Sequence, residues 1–246
     1  MTPPSVFDGA AATWDASVGN VALFGGRTFP GKAISNELWR LGVAWEKAPP
    51  ATAGTPWPPA LYSALLAHDA SRGRLVLVGN GAPAPTWEWD HTTLAWSDRS
   101  TAGGPKNNLG AFAWDERRHV GVFFGAEAWG ETWEWDGVSG VWTRKQFPSE
   151  KAPAPRFLAA AAYDSDAGRV LLFGGGLADS PGVHGWTGDL WEWDGTSWTL
   201  LEADGPAGPD EREAHGIAYD SDRHCLVVFG GSTFNSEPRD LWEWHR

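Results

Sequence analysis

A single cysteine, Cys225, stands among the 246 residues. An intrachain disulfide is therefore excluded, which agrees with a reducing compartment. Basic residues are few: 19 Lys and Arg face 31 Asp and Glu, for a net charge of −12. A nucleic-acid ligand needs a basic footprint that displaces counterions from phosphates, and so acidic a chain does not supply one. An anionic membrane surface is disfavoured for the same reason. No apolar run approaches the ~20 residues that cross a bilayer. The opening MTPPSVFDGA lacks the basic stretch and apolar run of a signal peptide. The expectation is a cytoplasmic protein, although a secreted mature form would read the same way.

Chemical motifs are equally scarce. The seven His show no His-x-x-x-His spacing for a metal, and neither a Gly-x-Ser-x-Gly nor a phosphate loop occurs. Gly174-Gly175-Gly176 follows an apolar run but opens a loop, not a helix, which argues against a dinucleotide site. Cys225 sits within an apolar segment, as an inert buried thiol would. On these grounds no cofactor, no metal and no catalytic residue is expected.

What is abundant is Trp, with 18 copies, beside 31 Gly and 18 Pro. Indoles supply a large apolar area per residue, and the Gly and Pro indicate many tight turns. Three signals recur five times in fixed order. First comes an apolar segment ending in an aromatic residue or His followed by Asp, at Asp15, Asp69, Asp115, Asp164 and Asp220. Next comes a β-branched or aromatic run ending in Gly: VALFGG, RLVLVGN, VGVFFGA, RVLLFGG and CLVVFGG. Last is a Trp-rich strand beginning its motif at Trp39, Trp87, Trp133, Trp191 and Trp242. In the first four units a lone Trp follows after a turn, at Trp45, Trp96, Trp142 and Trp198. Each unit thus reads as an antiparallel meander of four short strands.

This order, with Phe173-Gly174-Gly175 and Phe229-Gly230-Gly231 as its clearest double glycines, resembles the kelch repeat. Units two and three depart from it at Gly79-Asn80-Gly81 and Gly125-Ala126, and unit one carries Trp39-Arg40-Leu41 where the others have Trp-Glu-Trp. The resemblance covers nearly the whole chain. It implies an all-β, five-bladed kelch-type β-propeller of four-stranded antiparallel blades in a single domain, 1–246. The blades are expected at about 10–46, 61–97, 110–143, 157–200 and 214–246. The last lacks its outer strand, so the edge at 240–244 is open to Thr2–Val6, to another molecule or to self-association.

Residue types that recur in each unit are read as architecture. That covers most Trp, the Asp after each first strand, and Glu88, Glu134, Glu192 and Glu243, which are expected to bond turn amides or Arg across blades. A ligand breaks the repeat symmetry, so its contacts should be singular. The long loops, between second and third strands and between blades, fall on one face, and long loops on a rigid scaffold tend to carry function. Trp57, Trp129 and Trp186 lie there off the repeat template, with Phe29 and Phe234 in comparable loops and Arg27, Glu127, His184, Asn235 and Arg239 nearby. His184 and His215 lie on this face with Asp179, Asp210 and Glu213 in nearby segments, but so does much else, and no metal site is read from them. The expected function is a binding or interaction module that presents an aromatic, acidic face to a protein segment or a carbohydrate. The alternative is a cofactor-free enzyme, such as a sugar epimerase or isomerase, acting at the mouth of the central channel.

Overall fold

A computed structural model of the chain describes residues 3–28, 30–49, 54–106, 109–125, 130–148, 151–177, 185–205 and 208–246. Its regular structure is all β, and no α-helix occurs among the described residues. Five antiparallel sheets follow one another in chain order as the blades of a five-bladed β-propeller fold. The first is β1 (Val6–Asp15), β2 (Asn20–Thr28), β3 (Leu38–Leu41) and β4 (Trp45–Lys47). The second is β5 (Leu65–Asp69), β6 (Arg74–Val78), β7 (Thr86–Asp90) and β8 (Ala95–Asp98). The third is β9 (Ala111–Asp115), β10 (Val120–Gly125), β11 (Glu131–Asp136) and β12 (Val141–Arg144). In the fourth region the short β13 (Arg156–Phe157) and β16 (Gly176–Leu177) pair apart from the blade, which is β14 (Ala160–Asp164), β15 (Arg169–Phe173), β17 (Leu190–Trp193) and β18 (Trp198–Glu202). The fifth has only β19 (Gly216–Asp220), β20 (Cys225–Phe229) and β21 (Leu241–Trp244).

Thr2–Val6 is not a fourth strand for the last blade at its Val6 end. Val6 opens β1 and pairs with Thr28. Pro3 and Pro4 just before it have no N–H to give a sheet.

The contacts divide the chain into two compact units, Met1–Asn107 with Asp136–Trp142, and Asn108–Trp135 with Thr143–Arg246. Both units show how a blade is built. The Asp that ends the first strand is fully buried in β1, β5, β9 and β14. A buried carboxylate needs charge compensation. Arg72, three residues after Asp69, binds that carboxylate with Nε and reaches Glu88 of β7 at 2.8 Å. Arg118 binds Asp115 at 2.7 Å and also Glu134 of β11. Arg223 lies 3.7 Å from Asp220 and bonds Glu243 of β21. In the fourth blade the third residue after Asp164 is Ala167, and the cation comes from the chain's far end. Arg246 Nε donates to Asp164 at 2.9 Å and Nη2 to Glu192 at 2.5 Å. The recurring glutamates are therefore guanidinium partners, each on its blade's third strand. The first blade differs: Arg40 stands at the glutamate position, and Asp15 faces His68 and His91.

The same guanidiniums constrain the facing turn of the next blade. Arg72 Nη1 donates to the Gly137 carbonyl at 2.6 Å, and a Cβ on Gly137 would overlap the guanidinium. Gly195 is bounded in the same way by Arg118.

Indoles do the apolar work. Trp142 Nε1 donates to Thr86 Oγ1 at 3.0 Å, and Trp198 Nε1 to Thr132 Oγ1 at 2.9 Å, so each outer-strand Trp seats on the preceding blade's third strand. Trp198 also lies edge-on to Phe124 at 5.4 Å, as Trp96 does to Phe24. The fourth blade offers the equivalent seat at Phe173 and Leu190, and no outer-strand Trp among the described residues fills it. A cavity of about 330 Å³ occupies that place, lined among others by Phe173, Leu190, Leu226, Val228, Trp242 and Trp244. The last blade's edge is correspondingly exposed, Leu241 by 57%.

Arg72→Ala would leave Asp69 buried without a cation. The expected loss is about 3 kcal/mol of unfolding free energy by denaturant titration, while removal of an exposed cation such as Arg239 changes stability by less than about 0.5 kcal/mol.

Candidate functional site

The second unit brings two of the aromatic candidates together at its long-loop end. Gly174, Gly175 and Gly176 leave the end of β15, and Gly176 pairs with Trp186 in an isolated bridge. The Trp186 indole is half-buried and meets the Phe234 ring at 6.3 Å with an interplanar angle of 61°. Phe234 stands at the tip of a tight turn, closed by Thr233 N–H to the Ser236 carbonyl at 2.8 Å and Ser236 N–H to Thr233 Oγ1 at 3.1 Å. It is 88% exposed. The braced turn thus holds an apolar ring out in solvent, against a second ring.

Two arginine clamps support this end. Buried Arg156 donates Nη1 to the Gly174 carbonyl at 3.0 Å and grips Asp189 with both Nη groups. Buried Arg212 repeats this one blade later, with the Gly230 carbonyl at 3.0 Å and Asp240 at 2.7 and 3.0 Å. The Arg212 hydrogen bonds hold the Asp240 carboxyl down at about 2. At Asp189 burial pushes up, but the Arg156 bonds outweigh it and the carboxyl stays below its ordinary value. Because the clamp recurs, it belongs to the scaffold.

Two titratable groups beside it do not recur. Arg156-Phe157-Leu158-Ala159 in the fourth blade becomes Arg212-Glu213-Ala214-His215 in the fifth. Glu213 pairs its backbone with Ser232 at 2.9 and 3.0 Å, two residues before Phe234. Its Oε2 is buried with no hydrogen-bond partner among the described residues, and burial pushes its pKa up. It lies over Gly176, where any Cβ would come within 2.6 Å of Oε2. His215 is buried edge-on against Phe173 at 5.2 Å. Burial, aided by the Arg212 charge, pulls its pKa down to about 4, so the imidazole is neutral at pH 7. The sign of both residues in the sequence is their departure from the repeat, not any catalytic spacing.

The other candidates divide. Asn235 and Arg239 are exposed in the loop that carries Phe234. Trp57 belongs to the first unit and lies edge-on to Trp89 at 5.9 Å and Trp96 at 6.4 Å, with Nε1 donating to the Asn36 carbonyl at 2.8 Å. It covers the core. Arg27, also in the first unit, pairs with Asp8 and lies 5.1 Å from the Tyr62 ring. Phe29, Glu127, Trp129 and His184 lie outside the described residues.

No protein family matches the chain, and no curated protein does. Among solved structures it is similar to one described as "Structure of YjhT", with a TM-score of 0.71 and 14% identity over 97% of this chain and 81% of that one. At that identity the likeness is one of fold.

The depressed His215 pKa makes a pH prediction. The unfolded imidazole takes up a proton near 6.5 and the folded one only near 4, so the contribution of His215 is complete above 6.5 and is lost as pH falls towards 4. Thermal scans should show a fall of the order of 3 kcal/mol across that window. In His215→Gln that part of the fall should be missing.

Proposed function

We propose that this chain is a kelch-type binding propeller whose ligand seats at the long-loop end of the fourth and fifth blades. The single observation that carries this reading is the Trp186–Phe234 pair, one ring half-buried and the other almost fully exposed on a braced turn. Two angled ring faces suit the apolar face of a sugar ring or an apolar peptide side chain. Asn235, Arg239 and the uncommon carboxyl of Glu213 offer hydrogen bonds around them. The net charge of −12 favours neutral or cationic ligands on approach.

A second mode is supported by the open edge. A strand laid along β21, from a peptide or a second copy, would gain backbone hydrogen bonds and could place an aromatic side chain in the cavity beside Leu190. The enzyme reading rests on Glu213 alone, a carboxyl whose pKa is raised by burial.

A glycan array and a random peptide library are the probes. For a hit from either, Phe234→Ala and Trp186→Ala should each weaken binding by ~2 kcal/mol, about 30-fold. Phe234→Ala should leave stability within about 0.5 kcal/mol of the parent. Unchanged affinity in both variants rejects the site. Turnover of a bound sugar that disappears in Glu213→Gln selects the enzyme instead. For the edge, hydrogen exchange should find the β21 amides poorly protected in dilute monomer and better protected as concentration rises if copies pair there.

A further inference from the structure

The first blade solves the buried-aspartate problem differently from the rest, and the difference is reciprocal. The residue three after the first-strand aspartate is Arg72, Arg118 and Arg223 in blades two, three and five, but Val18 in blade one and Ala167 in blade four. The residue after the fourth position of each Trp-rich strand motif is His91, Gly137, Gly195 and Arg246 in blades two to five. A blade with its own arginine, two or three, is followed by a glycine that leaves the guanidinium room. Blade four has none, and Arg246 of the next blade reaches back to Asp164. Blade one has none, and His91 of the next blade reaches back to Asp15. His91 therefore stands where a cation stands elsewhere.

We propose that Asp15, His68 and His91 form a binding site for one divalent metal ion, with zinc the ion that this donor set suits best. Two imidazoles and one carboxylate are a recurrent zinc set. Asp15 is wholly buried, and the side chains of His68 and His91 are 5% and 11% exposed. One ligand atom from each lies within 4.8 Å of the others. His68 Nε2 is 3.4 Å from Asp15 Oδ1, and His91 Nε2 is 3.0 Å from Oδ2. Ligands bound at about 2.0–2.2 Å around a tetrahedral ion are separated by roughly 3.4 Å.

A plain hydrogen-bonded cluster fits less well. Asp15 Oδ2 and both ring nitrogens of His91 are buried with no hydrogen-bond partner. Oδ2 and Nε2 are thus in contact without being aligned as acceptor and donor, as expected of two lone pairs aimed at a shared third point. Asp15 Oδ1 accepts the Ser17 N–H at 3.2 Å, which orients the carboxylate, and Ser17 Oγ hydrogen-bonds His68 Nε2 at 2.8 Å, which orients that ring. Arg40, the other cation of this blade, lies 5.8 Å from the Trp89 ring and makes no ion pair with Asp15. A metal here would join strand β1 to β5 and the β7–β8 turn, replacing the missing guanidinium.

The test uses the full chain stripped with chelator, then titrated with zinc and followed by calorimetry, metal analysis and melting. The expected result is one zinc per chain and a melting temperature raised by about 5–10 °C at zinc 100-fold above Kd. His68→Gln and His91→Gln should each weaken binding at least about 100-fold, more than loss of an outer-shell partner costs. Cys225→Ser is the control, because Cys225, Glu243 and His245 form a second, mostly exposed cluster. Absence of stoichiometric binding by the parent overturns the proposal. So does binding that survives both His variants or is lost in Cys225→Ser. If either His variant fails to fold, visible absorption of the cobalt-loaded parent decides: a tetrahedral spectrum supports the site, and an octahedral one or none overturns it.

Discussion

Burial of one carboxylate at the end of the first strand, in four of the five blades, organises this fold. Asp15, Asp69, Asp115 and Asp164 have no exposed surface. Each also accepts an N–H from the turn ahead of it, from Ser17, Arg72, Arg118 and Asp166 respectively. The aspartate thus stops the strand and shapes the turn at once. Its charge must be met, at a cost of several kcal/mol if it is not. The guanidinium that meets it also spans to the third strand's glutamate and presses on the next blade's turn, which is why that turn needs Gly137 or Gly195. One ion pair therefore couples strand end, sheet register and blade-to-blade spacing.

Indoles carry the apolar counterpart of this coupling. Trp142 and Trp198 each close a seat on the preceding blade, and each satisfies its N–H on a buried threonine, so a large side chain is buried without an orphaned donor. The seat at Phe173 and Leu190 has leucine in place of threonine and no indole above it. The cavity there and the bare edge of β21 are one feature, because the strand that would pair with β21 is the one that would carry the Trp.

The repeat made most of this legible in the sequence. Five copies of one pattern reveal strand order, the missing last strand and the structural character of Glu88, Glu134, Glu192 and Glu243, since a residue needed in every blade answers to the blade. The partners of those glutamates were half legible. Arg72, Arg118 and Arg223 recur, but Arg246 reaches Asp164 from 82 residues away. Trp57 could not be sorted by pattern, because an indole in a Pro-rich segment looks the same whether it caps a core or faces solvent. Here it sits on Trp89 and Trp96. The Trp186–Phe234 contact depends on how two loops bend, which no spacing rule encodes. The Asp15–His68–His91 cluster is invisible to motif spacing because its members come from three places in two blades, although the swap of Arg for Val18 and Gly for His91 is written in the sequence.

The two ends of the blades obey different rules. At the short-turn end nearly every polar choice is dictated by a buried charge and its partner. At the long-loop end the arginine clamps, Arg156 with Asp189 and Arg212 with Asp240, secure the backbone and leave the adjoining positions open. The fourth blade fills those positions with Phe157 and Ala159, which shows that the fold is content with apolar groups there. The fifth places a half-buried Glu213 and a buried His215 there instead, raising one pKa and depressing the other, and each shift is a cost to stability. Folding does not demand that cost, since the neighbouring blade avoids it. Local departures of this kind are expected where a chain serves something besides its own stability. They sit beside Gly176, Trp186 and the exposed Phe234, and that is the physical reason to look for the ligand at this end of blades four and five.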